Sequence, residues 1–253
     1  MTHPISFRLR VLGASSPLRC IALCAVLTGA ALSGVSAQPL ERAEAVNLSP
    51  DQRVWHALSL QDKSWLRQLI NDGANINAAE PLSKMTPIMA VDSYAIALEL
   101  LHGGANVTAR DVFGRTALHY AVEAKDAARI VPLLMQRGAD ANARSHDPSG
   151  VTPLIAAAEH YFERADKDAG LDVVRALIAG GASPNLAGGD GVTPLSIAAA
   201  RGDVRLVNLL VELGADPDAG AENGKSLIDG ANERGETEIA AALIRGRSLK
   251  RQR

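Results

Sequence analysis

The chain is nearly free of cysteine. Cys20 and Cys24 are the only two in 253 residues, and everything after them must be held by packing without disulfides or cysteine-ligated metals. Aromatic residues are also few, with two Trp, three Tyr and three Phe. A core built on aromatic packing is therefore excluded, and any aromatic left outside the core carries weight. A single long apolar run exists, from Cys20 to about Gly34. It is interrupted by Thr28 and Ser33 and is short for the ~20 residues that cross a bilayer. The motif repertoire of common enzymes is missing as well. There is no nucleophile elbow, phosphate loop or dinucleotide fingerprint.

The first 37 residues contain no Asp or Glu. Arg8, Arg10 and Arg19 precede the apolar run, and Val35-Ser36-Ala37 follows it as a small-residue cleavage site, the layout of a secretory signal peptide. A lipoprotein needs a small residue before the modified cysteine; Arg19 and Leu23 stand there instead. A chain cut after Ala37 keeps 23 Lys+Arg against 28 Asp+Glu, a net charge of −5. Arg245, Arg247, Lys250, Arg251 and Arg253 crowd its end, so residues 38–244 stand at −10. So acidic a body argues against a nucleic-acid partner.

Periodicity is the strongest signal. Gly-Ala recurs at residues 73, 104, 138, 181 and 214, at spacings of 31, 34, 43 and 33. Upstream of these marks stand Thr86-Pro87-Ile88-Met89, Thr116-Ala117-Leu118-His119, Thr152-Pro153-Leu154-Ile155 and Thr193-Pro194-Leu195-Ser196, with a degenerate Ser226-Leu227-Ile228-Asp229. In the clearest copy Thr193 suits an N-cap and Pro194 the first helical position, where a missing N–H is harmless. Leu195, Ala198 and Ala199 make a narrow apolar stripe ending at Gly202. Val204, Val207, Leu209, Leu210 and Leu213 form a second stripe ending at Gly214. Neither short helix can bury its face alone, so the copies must stack.

This pattern resembles the ankyrin repeat family over residues 50–245. The resemblance implies an all-α solenoid of about six helix-turn-helix repeats with β-turn fingers and degenerate terminal repeats. The expected organisation is a signal peptide (1–37), a linker (38–48), repeats at 49–78, 79–109, 110–143, 144–187, 188–219 and 220–245, and a basic disordered tail (246–253). It also implies that Thr116 and His119 tie a turn to its helix, and that partners meet a concave surface of fingers and first helices. The residues matching those positions are Asp111, Phe113, Arg115, His146, Asp147, Asp190 and Val192 on fingers, and Tyr120, Glu123, His160 and Tyr161 on first helices.

Departures from the pattern point to function. Repeat two is short, with 18 residues from Thr86 to Gly104 against 21 from Thr193 to Gly214. Repeat four is long, with 29 from Thr152 to Gly181. Its extra stretch Glu159–Gly170 is expected to prolong the first helix beyond the stack. Glu159, His160 and Glu163 share a helical side there, without the second histidine of the helical zinc motif. Asp166, Asp168, Gly170 and Asp172 fail as a calcium loop, because Leu177 stands where the closing glutamate is required.

The expectation is an exported, periplasmic bacterial scaffold: a non-enzymatic monomer that binds one or more proteins. No cofactor, metal, nucleic acid or small-molecule substrate is expected, and membrane association only if the N-terminal segment is retained. Two other readings stand beside it: a membrane-tethered scaffold, and a metal-dependent protein using the repeat-four insertion.

Overall fold

The structure is a computed structural model that describes residues 45, 47–189, 191–220 and 225–251. The expected signal peptide and most of the linker lie outside these residues. Among them there is no strand, and no helix is long and apolar enough to cross a membrane. The described residues divide into two compact units, one up to residue 106 together with 124–126, the other 107–123 together with those from 127 onward.

In the first unit, α1 (Pro50–Ser59) and α2 (Lys63–Asn71) form one pair. A 3-10 turn (Pro87–Ala90) and α3 (Tyr94–His102) form the next. Ser49 and Gln52 cap α1 reciprocally, amide to side chain in both directions, and Pro50 takes the first-turn position. The shortening of repeat two falls on its first helix, which is reduced to the 3-10 turn. Glu99, 5% exposed, holds the Arg67 guanidinium through two hydrogen bonds of 2.9 and 2.6 Å and Lys63 at 3.3 Å. The Arg67 bonds, outweighing burial, hold its carboxyl down to about 2. Residues 124–126 join this unit because the Asp92 carboxylate accepts from the Lys125 amide (2.7 Å) and the Asp126 carboxylate from the Tyr94 amide (2.8 Å).

The second unit stacks four helix pairs: α4 (Ala117–Ala121) with α5 (Ala127–Gln136), α6 (Pro153–Tyr161) with α7 (Lys167–Ala179), α8 (Pro194–Ala200) with α9 (Val204–Glu212), and α10 (Leu227–Glu233) with α11 (Thr237–Lys250). Thr152, Asp166, Thr193, Asp203 and Ser226 each accept an amide of the first turn, as N-caps do. Gly138, Gly181 and Gly214 end α5, α7 and α9 at φ of +89°, +97° and +94°, a conformation that favours glycine. Leu118, Ile130, Leu134, Leu154, Leu177 and Leu210 are among the fully buried core side chains.

Two expectations are corrected here. The repeat-four insertion does not project as one long first helix. Helix α6 gains two residues over α8, and most of the extra length becomes the turn before α7 and the first turn of α7 itself. Lys167 closes the end of α6 by donating to the Tyr161 and Phe162 carbonyls at 2.8 and 2.9 Å. Gly170 sits inside α7, where a Cβ would come within 2.8 Å of the Tyr161 ring. The tail expected from residue 246 is likewise helical as far as Lys250. There Arg247 donates to Asp218 at 2.8 Å and Lys250 to Asp216 at 2.5 Å. Helix α11 runs straight through Gly246, where a Cβ would come within 2.7 Å of Val211 and 2.9 Å of Pro217, a close approach that glycine permits.

Candidate partner-binding surface of repeats three to five

The repeat-three finger is organised by Asp111. Its carboxylate accepts the Phe113 amide at 2.9 Å, the Arg115 amide at 2.8 Å and the Tyr120 hydroxyl, and it is 7% exposed. Asp111 is thus fully occupied in holding the turn, which overturns its expected role as a contact residue. The turn it holds leaves Val112 and Phe113 at the tip, 50% and 43% exposed. Val112 escaped the sequence reading; a β-branched residue beside Phe113 at a turn tip was the signal. Gly114 closes the turn at φ +73°, and a Cβ there would lie 2.3 Å from the His146 ring.

Hydrogen bonds join this finger to the next, and that one to the finger after it. The His146 amide donates to the Phe113 carbonyl at 2.7 Å, and Arg110 Nη1 spans the Gly114 and Arg144 carbonyls. The Gly189 amide donates to the Ser149 carbonyl at 2.8 Å. Asp147 accepts the Ser149 amide at 2.9 Å and the Ser149 hydroxyl, and Arg115 Nη2 stands 4.0 Å from it. Burial raises the Asp147 carboxyl, but the serine hydroxyls and the Ser149 amide outweigh it and hold it below the usual range. His146 is exposed and Val192 half-buried, while Asp190 lies outside the described residues.

On the first-helix side, Tyr120 is half-buried with its hydroxyl committed to Asp111. Glu123 is half-buried too, and burial holds its carboxyl above the usual range despite Arg115 and Arg164. Burial, aided by Arg164, lowers the His160 imidazole against the pull of Glu163, whose carboxylate lies 3.4 Å from Nδ1. Tyr161 is a second correction. It is 1% exposed, and its hydroxyl donates to Asp203 at 3.1 Å, so it belongs to the core and not to a binding face. Glu159, His160 and Glu163 do not converge on a shared cation position. Among the described residues no group of three His, Cys, Asp or Glu does. The surface that remains outward is Val112, Phe113, Arg115, His146, the edge of Asp147, and half-buried Glu123 and His160.

His119 takes the structural place that the resemblance implied. It is 3% exposed. Its Nδ1 accepts the Thr116 amide and faces the Thr116 hydroxyl, both at 3.0 Å. Nε2 then carries the proton and donates to the Val151 carbonyl at 3.1 Å.

Comparisons with known proteins agree with this architecture. The family model for ankyrin repeats in three copies matches residues 54–145, 88–166 and 164–253. An ankyrin repeat protein of fowlpox virus is 31% identical over 155 residues, 58% of this chain and 42% of its own length. The Notch protein of Drosophila melanogaster is 37% identical over 101 residues, 39% of this chain and 4% of its own. The chain thus spans less than half the length of these curated relatives. Among solved structures, an ankyrin repeat domain from Acinetobacter baumannii aligns with a TM-score of 0.64 at 26% identity, over 75% of this chain and 95% of that one. A chain from the Bdellovibrio bacteriovorus predatory endopeptidase Bd0816 in complex with immunity protein Bd3460 aligns at 0.60 and 25%, with the same coverage. The ankyrin repeat domain of Bcl-3 aligns at 0.62 and 29%, over 74% and 79%. With a repeat model spanning residues 54–253 and caps, turns and helix pairs in the matching places, the chain belongs to the ankyrin repeat family.

Proposed function

We propose that the protein is an exported, non-enzymatic binding module that holds a partner protein against the fingers and first helices of repeats three and four. Ankyrin repeats are protein–protein interaction modules, and one structural match comes from an endopeptidase–immunity protein complex. The observation that carries the reading is the finger tip at Val112 and Phe113. Two large apolar side chains stand in solvent on a turn that Asp111 and Tyr120 hold rigid. A preordered surface loses little entropy on binding, and exposed aromatics with arginine beside them are the usual anchors of an interface. Arg115 supports Phe113 from 5.8 Å away, its guanidinium facing the ring.

A photo-crosslinking residue at position 113, introduced in intact cells, is expected to trap a discrete adduct. The same probe at Arg175, on the exposed side of α7, is the reference. Equal trapping from both positions, or none from 113, removes the surface assignment.

Export rests on the arginine-flanked apolar segment and the Val35-Ser36-Ala37 site. The exported chain is expected to begin at Gln38 when its N-terminus is sequenced. A start at Met1 in a membrane fraction establishes the tethered scaffold instead.

A further inference from the structure

We propose that the partner segment taken by the repeat-three and repeat-four fingers is acidic, with an aromatic or branched aliphatic side chain that packs on Val112 and Phe113 beside a carboxylate bound by Arg144 and Arg115. This rests on the protein-binding reading above and specifies the chemistry of the partner.

The argument is one of local charge against its background. Residues 38–244 carry a net charge of −10, yet the exposed charged residues of these two fingers, Arg110 and Arg144, are cations, with Arg115 and Asp147 partly exposed beside them. Arg144 is exposed and makes no side-chain hydrogen bond or ion pair with the described residues. Arg115 keeps its Nε buried without a hydrogen-bond partner, and its nearest ion-pair contact is a loose 4.0 Å approach to Asp147. The Arg115 side chain is partly exposed, and its outer guanidinium nitrogens are the part that a ligand carboxylate can reach.

The acids nearby are already engaged or set back. Asp111 is buried under two amides and the Tyr120 hydroxyl, and Asp147 holds the Ser149 amide and hydroxyl. Glu123 lies half-buried on the first-helix side, where it also feels Arg115. What faces outward is therefore apolar at the tip and positive beside it. A basic segment meets the like charge of Arg144 and Arg115 there, while an acidic segment with one apolar anchor satisfies both features. The hydrogen bonds from His146 to Phe113 and from Arg110 to the Arg144 carbonyl fix the main chains of the two fingers to each other, so the anchor and the residue that carries the charge are held side by side.

The test is selection from a random dodecapeptide phage library on the purified full chain. Enriched sequences are expected to place Asp or Glu within two or three positions of an aromatic or branched aliphatic residue. In fluorescence polarisation with an enriched peptide, Phe113→Ser and Arg144→Glu are each expected to weaken binding at least roughly tenfold. Changing the peptide acid to Lys is expected to restore binding to Arg144→Glu alone. Arg175→Glu, on α7, is expected to bind as the parent does. Both test positions are exposed, so thermal melts should match the parent; Val112→Ser replaces Phe113→Ser if that variant does not fold. Enriched peptides that require Phe113 but carry Lys or Arg overturn the acidic assignment and leave the binding reading intact. An absence of any enrichment that depends on Phe113 or Arg144 overturns both.

Discussion

Replacing His119 by alanine is expected to destabilise the protein by ~3–5 kcal/mol at neutral pH and by much less near pH 4. At neutral pH the imidazole satisfies two buried backbone groups, the Thr116 amide and the Val151 carbonyl, from a position 3% exposed. Alanine leaves both without partners and opens a cavity. Each orphaned group costs roughly 1–3 kcal/mol. The narrowing at low pH follows from the imidazole itself. Burial, reinforced by Arg115 and Arg110 against the Val151 bond, lowers its pKa from 6.5 to about 4.

A base whose folded pKa is depressed stabilises the fold above its unfolded pKa, and that stabilisation fades as pH falls. For His119 the window runs from 6.5 down to about 4, and the difference corresponds to about 3 kcal/mol at most. Glu123 works in the opposite direction, since its raised carboxyl stabilises the fold at low pH and less as pH rises. It offsets part of the slope in both proteins and cancels in their comparison. Glu99, held down to about 2, loses its contribution only below 4.5. Urea midpoints of parent and His119→Ala between pH 7.5 and 4 measure the effect. A gap that stays constant over this range means that His119 is not the buried neutral group described here.

His119 also marks how far the sequence could be read. Its place beside Thr116 is what the resemblance of Thr116-Ala117-Leu118-His119 to the family pattern implies, and the contact it makes there is local, three residues along the chain. The caps and the Gly ends are legible for the same reason: Thr193, Pro194, Gly202 and Gly214 act within four residues of themselves. What could not be read depends on contacts distant in sequence. Tyr161 looks like a surface aromatic on an extension, but its hydroxyl meets Asp203, 42 residues later, and Gly170 leaves room for its ring. The basic end looks like a solvated tail until Arg247 and Lys250 find Asp218 and Asp216. Asp111 looks like a contact residue at a turn tip. Only the geometry of the turn shows its carboxylate pointing back to the Phe113 and Arg115 amides. The finger was legible in the sequence; the direction of each side chain on it was not.

Leu210→Ala is the second large effect, and it separates a repeat stack from an ordinary globular core. Leu210 is fully buried on α9, the helix that packs against α8 in its own repeat and against α11 in the last. Removing three carbons there is expected to cost ~2–5 kcal/mol in chemical denaturation, the spread reflecting how far the site can collapse. The more telling outcome is where protection is lost. Repeats contact only their neighbours, so damage travels by adjacency. Helix α10 leans on α8 and α11 on α9, and the outer face of α11 leaves Ile244 and Leu249 exposed at 51% and 45%. Hydrogen exchange is therefore expected to accelerate across residues 227–250 well before it does in α4 and α5. Uniform acceleration through the second unit would mean that it unfolds as one cooperative core. A loss well below 1 kcal/mol would mean that the cavity collapses around alanine, or that α9 contributes little to holding the last repeat.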